Sequence, residues 1–262
     1  MRIAGYIIVI SAYIRGGTPL EYSISFTGGY DNNVMRFSKE EFERAAVNPL
    51  VMGGSKTFDS FVSKLNISAK KSVLNMRKKS LVASASFTIS DYAQTPEKKY
   101  WSGGVDIAYK WGPYRNLKYG VRHLNNFYLR HYVDRDISTT QLAPCLFTDR
   151  DQSIQLTQKV MKRSWFSIGG GYLQRYYKKP FAEFDLDISY LKGRLNYKIR
   201  NFGTVGVQVS RGRALSKSHH LPDRPSSFNR SYQTTEWYLP LRINKELPFF
   251  NEIGFSTRIE YR

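Results

Sequence analysis

The 262-residue chain has a single cysteine, Cys145, which excludes an internal disulfide and any multi-cysteine metal cluster. Nowhere do 18 apolar residues follow one another, so the sequence offers no transmembrane helix. It also lacks a Walker-type phosphate loop, a dinucleotide fingerprint and a Gly-x-Ser-x-Gly nucleophile elbow. The run Gly169-Gly170-Gly171 has no Lys-Ser/Thr after it and so does not cradle a phosphate; its small residues suit a bend or a close approach to a neighbouring strand. Acidic residues are scarce, with 21 Asp and Glu against 40 Lys and Arg and a formal net charge of +19. That excess suits nucleic acid, anionic lipid headgroups or an anion-favouring channel.

What the chain has in quantity is alternation of period two, the signature of strands with unlike faces. In Pro180–Arg211, Ala182, Phe184, Leu186, Ile188 and Tyr190 alternate with Glu183, Asp185, Asp187 and Ser189. Beyond a turn candidate at Lys192-Gly193, Leu195, Tyr197 and Ile199 alternate with Arg194, Asn196, Lys198 and Arg200. Val205, Val207 and Val209 continue the pattern, and the three segments read as an antiparallel meander. Paired as a hairpin, the first two would set Glu183, Asp185 and Asp187 on the same face as Arg194, Lys198 and Arg200.

Similar segments precede and follow. Leu65, Ile67 and Ala69 alternate with polar partners, then Leu81–Ile89, Val105–Trp111, Leu117–Val121, Phe127–Val133, Ile154–Val160, Trp237–Ile243 and Ile253–Tyr261. Lys70–Lys79 reads as a basic connector, Gly112-Pro113 and Asn125-Asn126 as turns, Asp134–Asp151 as a polar connection with a short strand near Gln141–Phe147, and Leu247-Pro248 as a last turn. Ser38-Lys39-Glu40-Glu41 is a capping box before a short helix at Phe42–Ala46. Arg211–Ser231 breaks the alternation and reads as a long basic loop carrying Arg211, Arg213, Lys217, Arg224 and Arg230.

Most strand candidates have the length that a tilted strand needs to cross a bilayer, about 9–11 residues. No second domain is visible to cover their apolar faces, so lipid is the economical cover and closure the economical end to the edges. A mean hydropathy of −0.46 is compatible with this, because half of every such strand faces a polar lumen. The reading is an all-β, antiparallel up-and-down transmembrane β-barrel of about twelve strands, roughly 10–14. It forms a single domain over residues 21–262, preceded at 1–20 by a degenerate export signal or an N-terminal strand.

Here the chain resembles bacterial outer-membrane β-barrel proteins. Gly28-Gly29-Tyr30-Asp31-Asn32-Asn33-Val34, followed by Phe37-Ser38-Lys39-Glu40-Glu41, is similar to an early segment of some uncharacterised members. The resemblance implies an outer-membrane location, contact with lipid and lipopolysaccharide, and assembly by the barrel insertion machinery. It implies no substrate. Such barrels usually end on an aromatic residue, which here stands one place early, at Tyr261.

The four histidines, His123, His131, His219 and His220, make neither a Ser-His-acid set nor a full ligand set. No catalytic residue, metal ligand or cofactor is assigned, and the chain is read as a non-enzyme. Glu183, Asp185, Asp187, Arg194, Lys198 and Arg200 are the lumen-facing candidates. The expected function is a pore for small polar solutes, with an anion preference from the charge excess. The alternatives are a filled structural barrel docking through Arg211–Ser231, and a soluble basic β protein. The last would bind nucleic acid through aromatic and basic residues on one face. In the best strands basic residues oppose the aliphatic row, which disfavours that partner.

Overall fold

The computed structural model describes residues 19–47, 52, 55, 57–217, 219–220, 222–225, 227–243 and 253–261. Its framework is one antiparallel sheet of eleven strands, each hydrogen-bonded to the next in chain order. They are β1 (Glu21–Asp31), β2 (Ser60–Met76), β3 (Lys79–Tyr92), β4 (Tyr100–Gly112), β5 (Arg115–Val133), β6 (Leu142–Lys159), β7 (Ser164–Tyr177), β8 (Leu186–Ile199), β9 (Gly203–Ser216), β10 (Tyr232–Ile243) and β11 (Ile253–Tyr261). The expected all-β, up-and-down architecture is present. The expected closure is not: β1 and β11 are the edges, and no ladder joins them among the described residues. Eleven up-and-down strands leave those edges pointing the same way. Antiparallel closure therefore takes one further strand, and direct closure a parallel ladder. The export signal or strand expected at 1–20 lies outside the described residues except for Pro19 and Leu20, and so does the Leu247-Pro248 turn.

Several turn signals sit inside strands. Asn125-Asn126 is a bulge in the 19-residue β5: the register with β6 shifts between Leu124 and Phe127, and Asn126 takes φ 50°, a left-handed conformation that Asn tolerates. Lys192-Gly193 lies mid-strand in β8, laddered to Gly169 and Ile168 on one side. The basic connector at 70–79 shrinks to the two-residue turn Arg77-Lys78, because β2 runs on to Met76 and β3 starts at Lys79. Paired strands satisfy backbone groups that a loop would leave to solvent, and so override local turn propensity.

The two ends of the sheet differ. At one end the connections are tight, as at Arg77-Lys78 and Pro113-Tyr114. At the other, longer connections over 32–59, 93–99, 134–141, 178–185 and 217–231 gather into a crown. The helix α1 (Lys39–Val47) lies there, started by the expected capping box: Ser38 N–H donates to Glu41 Oε2 at 2.9 Å, and Glu41 N–H to Ser38 Oγ at 3.3 Å. Met35, Phe37, Ala45, Met52 and Tyr128 form a buried cluster, with Phe42, Phe58 and Leu146 packed against it. Phe37 meets both Phe42 and Phe58 edge-on, with ring centroids 6.0 Å apart.

Strand register sorts the side chains onto two faces. Ile24, Ile67, Phe87, Val105, Tyr119, Ile154, Ile168, Leu195, Val207 and Phe255 belong to one face and form an apolar belt across the sheet. These side chains are exposed, Ile24 at 67% and Leu195 at 56%. Trp101, Tyr172 and Trp237 stand towards the crown side of the belt, and Tyr109, Trp111 and Tyr197 towards the turn side. Past the belt the same face becomes polar, with Arg150, Gln174, Arg211 and Arg213 in line with it.

Candidate functional site

The opposite face is the inside of a curl. Residues of six successive strands, β3 to β8, line one cavity of about 640 Å³ on it, an arrangement that a flat sheet could not provide. Alternation puts the polar row of every strand here. Asp106 of β4 binds Lys118 Nζ at 3.2 Å and Arg122 Nη2 at 2.8 Å, both from β5. Asp149 of β6 takes a two-pronged hydrogen bond from Arg175 of β7, at 2.9 and 2.8 Å. Tyr190 of β8 donates to Asp151 at 2.9 Å across two strands. Lys192 lies over the Tyr190 ring at 5.8 Å, and Arg194 donates to Asn196 at 2.8 Å.

Glycines make this lattice possible by leaving room for charged side chains to lie flat. A Cβ at Gly120 would stand 2.5 Å from Asp106 Oδ1, and a Cβ at Gly104 would collide with the Arg122 guanidinium. In the triple-glycine run, Gly171 leaves the place that the Tyr190 ring fills, which is the close approach that the run suggests.

The crown holds a different polar cluster. Arg224, from the connection after β9, donates to Glu183 Oε1 at 3.0 Å, forms an ion pair with Asp136 Oδ2 at 3.0 Å, and also binds Asp134. The four side chains are at most 8% exposed. One guanidinium thus ties together the connections β5–β6, β7–β8 and β9–β10. The planar fork of five donors suits this three-way role, which a lysine could not fill with the same geometry.

The acidic candidates require correction. Glu183 is not on a strand but in a 3₁₀ turn, Ala182–Phe184, where it is buried beneath Arg224. Asp185 follows the turn and accepts the Tyr177 N–H at 2.6 Å. Asp187 is on β8, but it stands an odd step of seven positions from Arg194, so it shares the face of Leu191 and Leu195. There it accepts from Tyr176 at 3.3 Å and pairs with Lys217 at 3.0 Å. Phe181 and Phe184 pull this segment into the crown, stacked with centroids 5.7 Å apart, and the expected hairpin of an acidic on a basic strand does not form.

Arg194 and Lys198 stand on the inner face of β8, whereas Arg200 is in the turn after it. Arg211 and Arg213 are strand residues of β9 on the belt side, where Arg211 donates to Gln233 at 3.2 Å. Only Lys217, Arg224 and Arg230 of the five lie in the connection after β9. Asp106, Lys118, Arg122, Asp149, Asp151 and Arg175 were missing from the expected inner set. Their alternation with Val105, Ile107, Leu117, Tyr119 and Val121 could have found the β4–β5 members.

The His219 and His220 rings meet at a tilt with centroids 4.4 Å apart, and no group of three metal-ligating side chains occurs among the described residues. Neither a family model, nor a curated protein, nor a solved structure matches this chain.

Proposed function

We propose that the sheet closes in a membrane into a barrel that conducts small polar solutes through its charged interior, with a preference for anions. The observation that carries this reading is the pairing of a continuous exposed apolar belt with a charged opposite face. In water each large belt residue forgoes about 1.5–3 kcal/mol of burial, which hydrocarbon restores. Open strand edges would leave backbone groups unpaired in hydrocarbon at several kcal/mol each, so insertion itself drives closure. Aromatic residues on both sides of the belt suit the two headgroup levels of a bilayer, and the crown then stands in water.

The anion preference rests on β8, which sends Lys192, Arg194 and Lys198 inward with no carboxylate between them, within a chain of net charge +19. A bacterial outer membrane is the location this reading favours. Its solutes reach the interior past the crown, where the loops are tied by Arg224.

The first test is electrophoretic mobility of membrane-extracted protein before and after boiling. A band that shifts on heating and sediments with membranes supports a closed barrel; a soluble protein without a shift overturns it. Reversal potentials in planar bilayers come next, and cation selectivity would remove the anion preference. A filled docking barrel is the second reading, favoured by the cross-bound inner charges such as Asp106 with Lys118 and Arg122. Folded protein that inserts but does not conduct would support it.

A further inference from the structure

Beneath the crown lies a second cavity, of about 770 Å³, within the range of small-molecule sites. α1, the end of β5 with the connection after it, the start of β6, the end of β7 and the connections after β7 and β9 meet around it. Tyr132, Phe181, Phe184 and Phe228 give it an aromatic lining, interleaved with guanidinium groups.

The carboxylates on its wall are already engaged. Glu41 holds Arg130 at 2.8 Å and is kept below the usual carboxylate range by its hydrogen bond from the Ser38 backbone and then by Arg130. Glu183 belongs to Arg224. Arg44, Arg135 and Arg230 then stand as cationic excess in the lining. Arg230 is the telling one. Its guanidinium lies 3.9 Å over the Phe184 ring and 4.0 Å over the Phe228 ring, and donates to the Glu183 carbonyl at 3.4 Å. Two aromatic faces and one backbone oxygen hold it flat, and no carboxylate pairs with it among the described residues. Burial disfavours its charged form, so an incoming anion would relieve that cost.

We infer that this cavity is a binding site for a planar aromatic carboxylate, the ring lying against the exposed Tyr132 and Phe228 and the carboxylate meeting Arg230 and Arg135. Aromatic stacking fixes the plane, and a guanidinium fork matches a carboxylate with two parallel hydrogen bonds. The site does not depend on conduction, since every residue in it belongs to the crown or the strand end beneath it.

The test is calorimetric titration of the full chain in lipid nanodiscs with 2-naphthoate, 2-naphthamide and 2-naphthylammonium. The neutral amide and the cation control for partition into lipid. Saturable 1:1 binding of naphthoate is expected, with the amide about tenfold weaker and the cation weaker still. Arg230→Gln should weaken naphthoate about tenfold or more, as one charge-assisted pair is lost. The exposed Arg135→Gln, which threatens no packing, should weaken it severalfold, and Arg194→Gln on β8 should leave it unchanged. Equal binding of acid and amide, an undiminished Arg135→Gln, or absence of saturable binding overturns the inference, whether or not the protein conducts.

Discussion

Asp106 in the wall of the sheet shares two cations, Lys118 and Arg122, whose side chains keep 42% and 45% of their surface exposed. Arg224 in the crown shares three carboxylates, and none of the four side chains is more than 8% exposed. Both clusters contain Arg–Asp pairs. Their energetics differ because water reaches one and not the other. An exposed pair contributes little, about 0–1 kcal/mol, since solvent screens it and each partner is content alone. A buried cluster gains little over an apolar replacement, yet losing one member strands the others without water. The wall tolerates rearrangement, as the lining of the proposed channel must. The crown is an all-or-none lock.

The largest expected effect follows from breaking that lock. Arg224→Ala leaves Asp134, Asp136 and Glu183 buried without their shared cation, and should cost about 3–5 kcal/mol. Amide exchange should locate the loss in the connections at 134–141 and 178–185 rather than in β2 or β3. If Arg224→Ala proves no more harmful than Arg122→Ala, burial does not separate the two regions.

Next comes the belt. Leu195→Arg puts a cation on the proposed lipid face and should cost about 2–4 kcal/mol in bilayer insertion, whereas Arg194→Gln, one residue away on the inner face, should insert normally. Reading both in a liposome insertion assay separates lipid contact from mere strand stability. Equal insertion of the two would mean that the belt does not face hydrocarbon.

A pH effect should follow in the crown. Lys98 sits 7% exposed beneath the Phe127 and Tyr128 rings, 5.7 and 6.0 Å from their centroids. Burial lowers its pKa from 10.5 to about 8, reinforced by the positive charge of Arg36. Because the folded value is depressed, the unfolded chain binds the extra proton between those two values, and stability rises as pH increases from about 8 to 10.5. Urea resistance of the wild type should therefore gain on that of Lys98→Met across this window. A constant difference would show that Lys98 keeps its ordinary value.

The smallest effect is the counterpart in the wall. Arg122→Ala removes one of two partners of Asp106 and should change stability by about 1 kcal/mol or less, an effect that salt diminishes further. A loss as large as that of Arg224→Ala would show that the inner face is dry, and would favour the filled barrel over the pore.

Much of this was legible in the residues. The rows Leu195, Tyr197, Ile199 and Val205, Val207, Val209 lie together on one face in register, Leu195 opposite Val207 and Tyr197 opposite Val205, as their alternation predicts. The capping box at Ser38 starts α1 where expected. The errors have a common cause. Ala182–Asp187 alternates as cleanly as any strand, yet Phe181 and Phe184 find a better burial in the crown, and Ala182–Phe184 winds into a turn before β8 begins at Leu186. Arg211 and Arg213 read as loop because their strand continues past the belt, where both faces are polar and the alternation fades.

The sequence by itself determined the strands, their two unlike faces and their antiparallel order. Period-two patterning is a local property, and neighbouring segments with tight turns have few alternatives. Only the tertiary structure decided which acids meet which bases. The crown pairings join residues 41 to 90 positions apart, such as Arg224 with Glu183 and Asp134, and depend on which side chains the crown excludes from water. No local pattern encodes that exclusion.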